Sequence, residues 1–273
     1  MTIRLGGKGY NQAAAACKSG GAVWLAGCIG TDGKPFLDAC GKLGIHAELV
    51  KTVPDCKTGH AVIQVSEEGE NSILLFGGAN QRQDRAYIDH VLSKFDRGDY
   101  LMLQNEVNEL PYLIDRAYEI GMKIVLNPSP FNDIILKCDL DKVSWLLVNE
   151  IECRQILEAD CDEKPAEQLH RKYPGCNIVV TLGKKGARCW IDGQAISQRA
   201  FSVTPVDTTG AGDCFTGYLI GMTAAGYSCQ DALRMATAAS ALCITRPGAA
   251  ESVPTYAEVQ AALRGSIEPT VRS

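Results

Sequence analysis

The sequence lacks the features that mark several classes of protein. It has only four histidines and no C-x-x-C pair among its 12 cysteines, so paired ligands for a zinc ion are missing. No uninterrupted apolar run approaches membrane-spanning length and no signal peptide opens the chain, so we expect no contact with a membrane. The net charge is −5 and there is no basic block, which disfavours nucleic acid as a partner.

The length and composition of the chain are those of an ordinary globular protein. The 273 residues are 46% hydrophobic and 22% charged. We find no internal repeat, low-complexity tract or linker, and we therefore predict one domain over residues 1–273. The cysteines are scattered, many beside apolar residues, which favours reduced and mostly buried thiols in a cytoplasmic protein over a disulfide scaffold.

Short apolar segments alternate with helical patterns along most of the chain. This alternation predicts an α/β fold of the Rossmann-like, three-layer, doubly wound type with a mostly parallel sheet. Residues 60–65 and 72–76 flank a polar turn and predict a hairpin, which we expect to stand off the sheet as a partial β lid over 58–77. The predicted strands are 22–28, 60–65, 72–76, 99–104, 123–127, 145–149, 177–182, 187–191 and 196–201. The predicted helices are 34–43, 84–95, 109–120, one ending at Leu157, 165–173, 211–225, 229–245 and one after Pro254.

Polar clusters follow four of the predicted strands. They are 104–106, 127–130, 149–152 and 181–183. Because ligands of such folds bind beyond the carboxyl ends of the strands, these clusters predict a ligand-binding crevice at that edge of the sheet.

The most informative stretch runs from Asp207 to Phe215 and reads DTTGAGDCF. It predicts a glycine-rich turn that opens a helix, where free N–H groups and the helix dipole favour phosphate. A carboxylate at Asp213 would repel a bound phosphate, but it is well placed to take a proton from a hydroxyl that attacks one. The alternative is a plain glycine-rich turn with an acidic helix start.

This nonapeptide resembles the carboxy-terminal signature of the ribokinase-like (PfkB) sugar kinases. GGKGYNQ at 6–12 is not a Walker A loop, and by itself it could be only the start of an alanine-rich helix, but it resembles the first signature of the same family. The resemblance implies ATP-dependent phosphorylation of a sugar primary hydroxyl, with D-ribose to D-ribose 5-phosphate as the leading reaction. Deoxyribose, fructose and keto-deoxygluconate are alternative substrates, and a non-catalytic sugar or nucleotide sensor is an alternative function. A dinucleotide-dependent dehydrogenase is disfavoured because no strand-G-x-G-x-x-G-helix unit is present.

The resemblance also implies a role for each matching residue. Asp213 would be the catalytic base, and the amides of Gly210, Ala211 and Gly212 would stabilise the transferred group. The sugar would be held by Gly7, Lys8, Gly9, Asn11, Glu106 and Asp213. ATP would be bound by Asn149, Thr181, Gly183, Gly186 and Gly212, and Mg²⁺ by Glu152 through water. A monovalent cation, K⁺, would lie beside Asp207, Thr209, Cys243, Arg246, Gly248 and Ser252.

Local structure alone offers simpler interpretations of three of these groups. Asn149 and Glu152 are typical of a helix cap, 181–186 of a hairpin turn, and Glu106 of a solvated loop acid.

The sequence departs from the family in two places. Relatives carry several tens of residues before their first signature, including a strand, part of the lid and an Asn-x-Asp pair that grips the sugar. We therefore expect impaired sugar phosphorylation, and a homodimer through the lid in which half of the lid is absent. Small residues over 235–239 replace the usual neighbours of the adenine.

Overall fold

The computed structural model describes residues 4–65, 71–158, 165–191 and 193–265. The helices are α1 Lys8–Lys18, α2 Lys34–Leu43, α3 Arg85–Leu92, α4 Leu110–Ile120, α5 Asp133–Leu136, α6 Glu150–Leu157, α7 Pro165–Lys172, α8 Ala211–Ala224, α9 Cys229–Cys243 and α10 Tyr256–Gly265. The strands are β1 Trp24–Ile29, β2 His46–Thr52, β3 His60–Val65, β4 Asn71–Phe76, β5 Tyr100–Gln104, β6 Lys123–Asn127, β7 Trp145–Asn149, β8 Asn177–Thr181, β9 Ala187–Ile191 and β10 Gln194–Gln198. Within these ranges no helix combines the length and apolar character required to span a membrane.

Six strands form the main sheet in the order β10-β9-β8-β7-β6-β5. β5 to β8 are parallel, and β9 and β10 are added antiparallel. β1 and β2 form a separate parallel pair, so β5 lies at one edge of the main sheet. The predicted α/β class with a mostly parallel sheet is confirmed.

Alternate residues of the central strands enter two hydrophobic cores, one on each face of the sheet. In β7, Leu147 packs with α8, α9 and α10 residues, whereas Leu146 and Val148 pack with residues of α3, α4 and α6. Because both faces of the sheet are covered, β7 (WLLVN) has four consecutive buried residues before the exposed Asn149. This burial fixes the strands in place and leaves their polar carboxyl ends at a common edge.

β2 is a strand that the sequence patterns do not predict. Its sequence, HAELVKT, has no buried residue, and among the described strands it pairs only with β1. An edge strand with polar side chains lacks the apolar run on which the other predictions rely. The short helix α5 was also not predicted, and the other differences include shifts of element ends: α3 ends at Leu92 instead of residue 95, and β10 is Gln194–Gln198 instead of 196–201.

The predicted hairpin is confirmed as the antiparallel pair β3–β4, and its turn at 66–70 lies outside the described residues. Leu74, Leu75 and Phe76 are 76%, 60% and 51% exposed, which leaves an apolar surface on this pair. At its base, Asp32 accepts hydrogen bonds from the N–H and hydroxyl of Thr58 at 2.9 and 2.8 Å. The homodimer through this surface stays a prediction.

α1 and α8 pack with their backbones in contact. A Cβ added to Gly217 would lie 2.5 Å from the Cβ of Ala15 and 2.8 Å from the N of Ala16, and it would also strike the carbonyl oxygen of Gln12. A Cβ at Gly221, one turn later, would collide with Ser19. Glycine at these positions therefore allows the polar side chains at the start of α1 to reach the start of α8.

We expect Gly217→Ala to lower the free energy of unfolding by about 1–3 kcal/mol, because the added methyl group forces the two helices apart. Denaturant titration measures this loss. Gly41→Ala is the matched control, since Gly41 is also helical but has open space around it, and alanine there should be neutral or stabilising. Equal stability of the two variants would contradict the close packing of α1 and α8.

Candidate active site

The start of α8 lies beyond the carboxyl ends of the strands. Its N-cap residue, Gly210, has a φ of 74°, and a Cβ there would lie 3.2 Å from the Cα of Ala249, so glycine is required. In the described part of the chain, no acceptor satisfies the N–H of Gly210 or of Gly212. The Ala211 N–H differs from the prediction, because it donates to the carbonyl of Thr208 at 3.3 Å. Two of the three predicted amides are thus free to bind an anion.

The Asp213 carboxylate is buried in the first turn of α8 and faces the start of α1. Its Oδ2 accepts a hydrogen bond from Asn11 Nδ2 at 3.0 Å, across 202 positions of the chain. Its Oδ1 accepts one from Gln12 Nε2 at 3.0 Å and lies 3.8 Å from Lys8 Nζ. The structure therefore brings the two signature segments together around one carboxylate, with Lys8 and Asn11 beside Asp213, and the roles assigned to these residues stay predictions.

The other end of the Asn11 amide has no partner. Its Oδ1 is buried, and no donor within the described ranges reaches it. A buried acceptor without a hydrogen bond is destabilising by about 1–3 kcal/mol, so the site is completed when a donor such as a hydroxyl group arrives.

Glu106 follows β5 and caps α1. Gly7, the N-cap residue, offers no side chain, and Glu106 Oε2 instead accepts the N–H of Lys8 at 2.8 Å. Burial raises the pKa of Glu106, although the Lys8 N–H and the Lys8 charge oppose this shift. Glu106 is therefore a half-buried member of the site, and its interpretation as a solvated loop acid is wrong.

Gln12 is a site residue that the sequence reasoning missed. Its Oε1 accepts from Gln104 Nε2 at 2.6 Å, and its Nε2 donates to Asn127 Oδ1 at 3.1 Å as well as to Asp213. Asn127 Nδ2 in turn donates to the carbonyl of Leu147 at 3.0 Å. This bond fixes the orientation of the Asn127 amide and, through it, that of the Gln12 amide. A usable signal was present: Lys8, Asn11 and Gln12 are spaced i, i+3 and i+4 in an otherwise alanine-rich helix.

The predicted nucleotide segments adopt the simpler structures that their sequences allow. Asn149 and Glu152 form a capping box: Asn149 Oδ1 accepts the Glu152 N–H at 2.8 Å, and Glu152 Oε2 accepts the Asn149 N–H at 3.0 Å. The segment from Thr181 to Gly186 is a tight turn between antiparallel strands, closed by the Leu182 N–H and the Gly186 carbonyl at 2.8 Å. Asn149 and Thr181 are register partners at the end of the sheet. Binding of a nucleotide here stays a prediction.

Most of the predicted cation residues come together beside the start of α8. Asp207 accepts the N–H of Thr209 at 2.9 Å and that of Gly248 at 3.0 Å, and the Thr209 and Gly248 hydrogen bonds lower its pKa. Ser252 donates to the Gly248 carbonyl at 2.9 Å and lies 3.0 Å from Cys243 Sγ.

The Arg246 side chain does not join this group. It pairs with Glu258 at 2.7 Å on an exposed surface, which leaves only its backbone for the predicted role. Within the described ranges, no cluster of three or more His, Cys, Asp or Glu side chains could hold a metal ion.

Comparison with known sequences identifies the chain's relatives. The family model of pfkB family carbohydrate kinases matches residues 1–256. The ribokinase of Haemophilus influenzae is 33% identical over 265 residues, covering 94% of this chain and 86% of the relative. The deoxyribokinase of Salmonella typhi is 30% identical over 264 residues, covering 92% of this chain and 85% of the relative.

Solved structures give the same result for the fold. Ribokinase from Cryptococcus neoformans, solved in complex with ADP, superposes with a TM-score of 0.85 at 35% identity, covering 95% of this chain and 89% of that one. Ribokinase from Arabidopsis thaliana, complexed with ribose and ATP, superposes with a TM-score of 0.82 at 28% identity, covering 96% and 88%.

The raised pKa of Glu106 predicts a pH dependence of stability. The folded protein holds this proton to higher pH than the unfolded chain does, so the contribution is complete below the unfolded pKa and is lost as the pH rises through the folded pKa. We therefore expect the stability of the wild type relative to Glu106→Gln to fall as the pH rises above about 4, the ordinary pKa of a glutamic acid.

Glu258→Gln is the control with the opposite sign. Hydrogen bonds from the Thr255 N–H and from Arg246 lower the pKa of Glu258 to about 2, so its contribution is present at neutral pH and is lost on acidification. Urea titrations between about pH 2 and neutral pH measure both differences, because the Glu258 contribution is lost between the ordinary pKa of a glutamic acid, about 4.3, and about 2. A Glu106→Gln curve parallel to the wild type would contradict the assignment.

Proposed function

The chain belongs to the pfkB family of carbohydrate kinases and is a phosphotransferase, and we propose that it transfers the γ-phosphoryl group of ATP to the primary hydroxyl of D-ribose. The observation that carries the proposal is the buried Asp213 carboxylate beside two unpaired amides of a helix start and the unpaired Oδ1 of Asn11. The ribose and ATP in the Arabidopsis relative support this substrate pair. The deoxyribokinase relative makes 2-deoxyribose the second candidate.

Asp213 acts as the general base in this proposal. The sugar hydroxyl gives its proton to the carboxylate while its oxygen attacks the γ-phosphorus, and ADP leaves. The Asn11 and Gln12 amides orient the carboxylate, and general-base catalysis of this kind contributes about 10²–10⁴-fold to a rate. The N–H groups of Gly210 and Gly212 stabilise the negative charge that spreads over the transferred group.

The same residues explain how a sugar is held. Asn11 Oδ1 accepts a hydrogen bond from one hydroxyl, which satisfies the unpaired acceptor. The Glu106 carboxylate, whose Oε2 accepts the Lys8 N–H, has further acceptor capacity for a second hydroxyl. Lys8 Nζ, near Asp213 Oδ1, provides positive charge next to the acceptor oxygen.

Two cations complete the proposal. Glu152 is buried in the first turn of α6, just beyond β7, with one oxygen engaged in the helix cap. It fits a water-mediated contact with Mg²⁺, which usually keeps several waters and binds the substrate phosphates. Mg²⁺ neutralises phosphate charge when bound. The loops at Asp207 and Gly248, tied together by their hydrogen bond, fit K⁺ because they offer oxygen atoms beside the anion site. Cys243 contributes its contact with Ser252 instead of a ligand.

Sugar-dependent release of ADP tests the proposal. We expect D-ribose to support more turnover than 2-deoxyribose, fructose or keto-deoxygluconate at equal concentration, with the phosphate on the primary hydroxyl of the product. Turnover highest with deoxyribose would move the assignment to the second candidate. No turnover with any of these sugars would contradict the proposed reaction.

The Asp213→Asn variant tests whether the protein is an enzyme or a non-catalytic sugar or nucleotide sensor. Asparagine keeps the size of the side chain but accepts no proton, so turnover should fall at least about 100-fold while ATP still binds. Calorimetric titration with ATP checks the second half of this expectation. Unchanged turnover in the variant would remove Asp213 from its role as the base.

Gln12→Met tests the hydrogen bonds that link Gln12 to Asp213, Gln104 and Asn127. Methionine fills the same space without a donor, so the Asp213 carboxylate loses one of its two amide contacts, and we expect kcat to fall about 10-fold or more with little change in KM for ATP. Tyr218→Phe is the control: it removes a buried 2.6 Å hydrogen bond from the same helix, and that bond goes to the Pro254 carbonyl instead of to a site residue. Equal kcat values for the two variants would show that Gln12 is only structural.

A further inference from the structure

Two cysteines that play no part in the proposed reaction lie in contact. Cys189 is fully buried in the middle of β9, and Cys229 is the first residue of α9 and is partly exposed. Their sulfur atoms are 3.8 Å apart, although 40 positions separate them in the chain. A disulfide requires a separation of about 2 Å, so the sulfurs must approach by a little under 2 Å.

The surroundings of Cys229 allow this approach. Cys229 lies at the end of α9 that follows residues 224–228, all of which are exposed. Cys189 is held between β8 and β10, where its register partners are Val179 and Ile196. The movement therefore falls on the first turn of α9, and the sheet stays in place.

The two thiols differ in reactivity. Cys229 lies at the N-terminus of a 15-residue helix, where backbone N–H groups and the helix dipole favour a thiolate. The contact between the two sulfurs lowers the pKa of Cys229, and the same contact together with burial raises the pKa of Cys189. An accessible thiolate next to a second, resolving thiol is the arrangement typical of redox-sensitive cysteines.

We propose that Cys189 and Cys229 are a site of reversible oxidation by hydroperoxides. The Cys229 thiolate attacks one oxygen of hydrogen peroxide, the O–O bond breaks, and a sulfenic acid and hydroxide form. The Cys189 thiol then attacks the Cys229 sulfur, and the hydroxyl group leaves as water. Two thiols are oxidised by two electrons, one peroxide is reduced to two waters, and a dithiol reductant reverses the reaction.

The other described thiols lack this combination. Cys214 and Cys243 are fully buried, so peroxide does not reach them. Cys17 and Cys56 are partly exposed, but their thiols donate to the carbonyls of Leu43 and Lys57. The disulfide would tie α9 to β9, two elements of one hydrophobic core, and α9 also holds the start of α8 through the Ser240 hydroxyl and the Ala211 carbonyl at 3.0 Å.

Peptide mapping of the full chain tests the site. The reduced protein is treated with hydrogen peroxide, its remaining thiols are alkylated under denaturing conditions, and it is digested with trypsin. Cleavage after Arg188, Arg199 and Arg234 places Cys189 in 189–199 and Cys229 in 200–234. We expect these two peptides to be joined as the main oxidised product, with Cys214 alkylated, and to separate after dithiothreitol.

Two variants check the order of steps. Cys189→Ala should leave a sulfenic acid on Cys229 that a dimedone probe labels, whereas Cys229→Ser should give neither label nor cross-link at these positions. Cys56→Ser, which removes another partly exposed thiol, should leave the cross-link unchanged. The wild-type mapping needs no substitution, so the test stands even if a variant does not fold. A disulfide to any other cysteine, or Cys189 and Cys229 both alkylated after oxidation, would overturn the proposal.

Discussion

The contact between the Asp213 carboxylate and two side-chain amides of α1 is the interaction on which the rest of the site depends. A buried carboxylate is stable only when it is hydrogen-bonded, and Asn11 and Gln12 supply those bonds from the other end of the chain. The bonds form because Gly217 lets α8 approach α1 until their backbones touch. The close packing of α1 and α8 therefore accounts both for the burial of Asp213 and for its hydrogen bonds to Asn11 and Gln12.

The amides that hold Asp213 are themselves held by the sheet. Gln104 and Asn127 lie at the ends of β5 and β6 and bind the two ends of the Gln12 amide. Asn127 is held in turn by a hydrogen bond to the Leu147 carbonyl of β7. The parallel sheet thus fixes the position of the Asp213 carboxylate through Gln12, although Asp213 itself lies on α8. Such preorganisation is what a phosphoryl transfer requires, because its catalysis comes mainly from positioning and electrostatics.

The fold was largely predictable because its central strands are buried on both faces and so carry unbroken apolar runs. β2 was not, because an edge strand needs no such run. In the site, Asp213, Lys8 and Asn11 could be assigned from two local motifs, but their meeting depends on a glycine contact that only the tertiary structure shows. Gln12 was missed because its partners come from β5, β6 and α8, and the outward turn of Arg246 depends on Glu258, which no motif includes.

A crystal structure of this chain with D-ribose and a non-hydrolysable ATP analogue tests the central claim most directly. The account predicts that the primary hydroxyl oxygen lies within hydrogen-bonding distance of an Asp213 carboxylate oxygen, with a γ-phosphate oxygen on the N–H groups of Gly210 and Gly212. A sugar bound with that hydroxyl away from Asp213, or a γ-phosphate away from the start of α8, would contradict it.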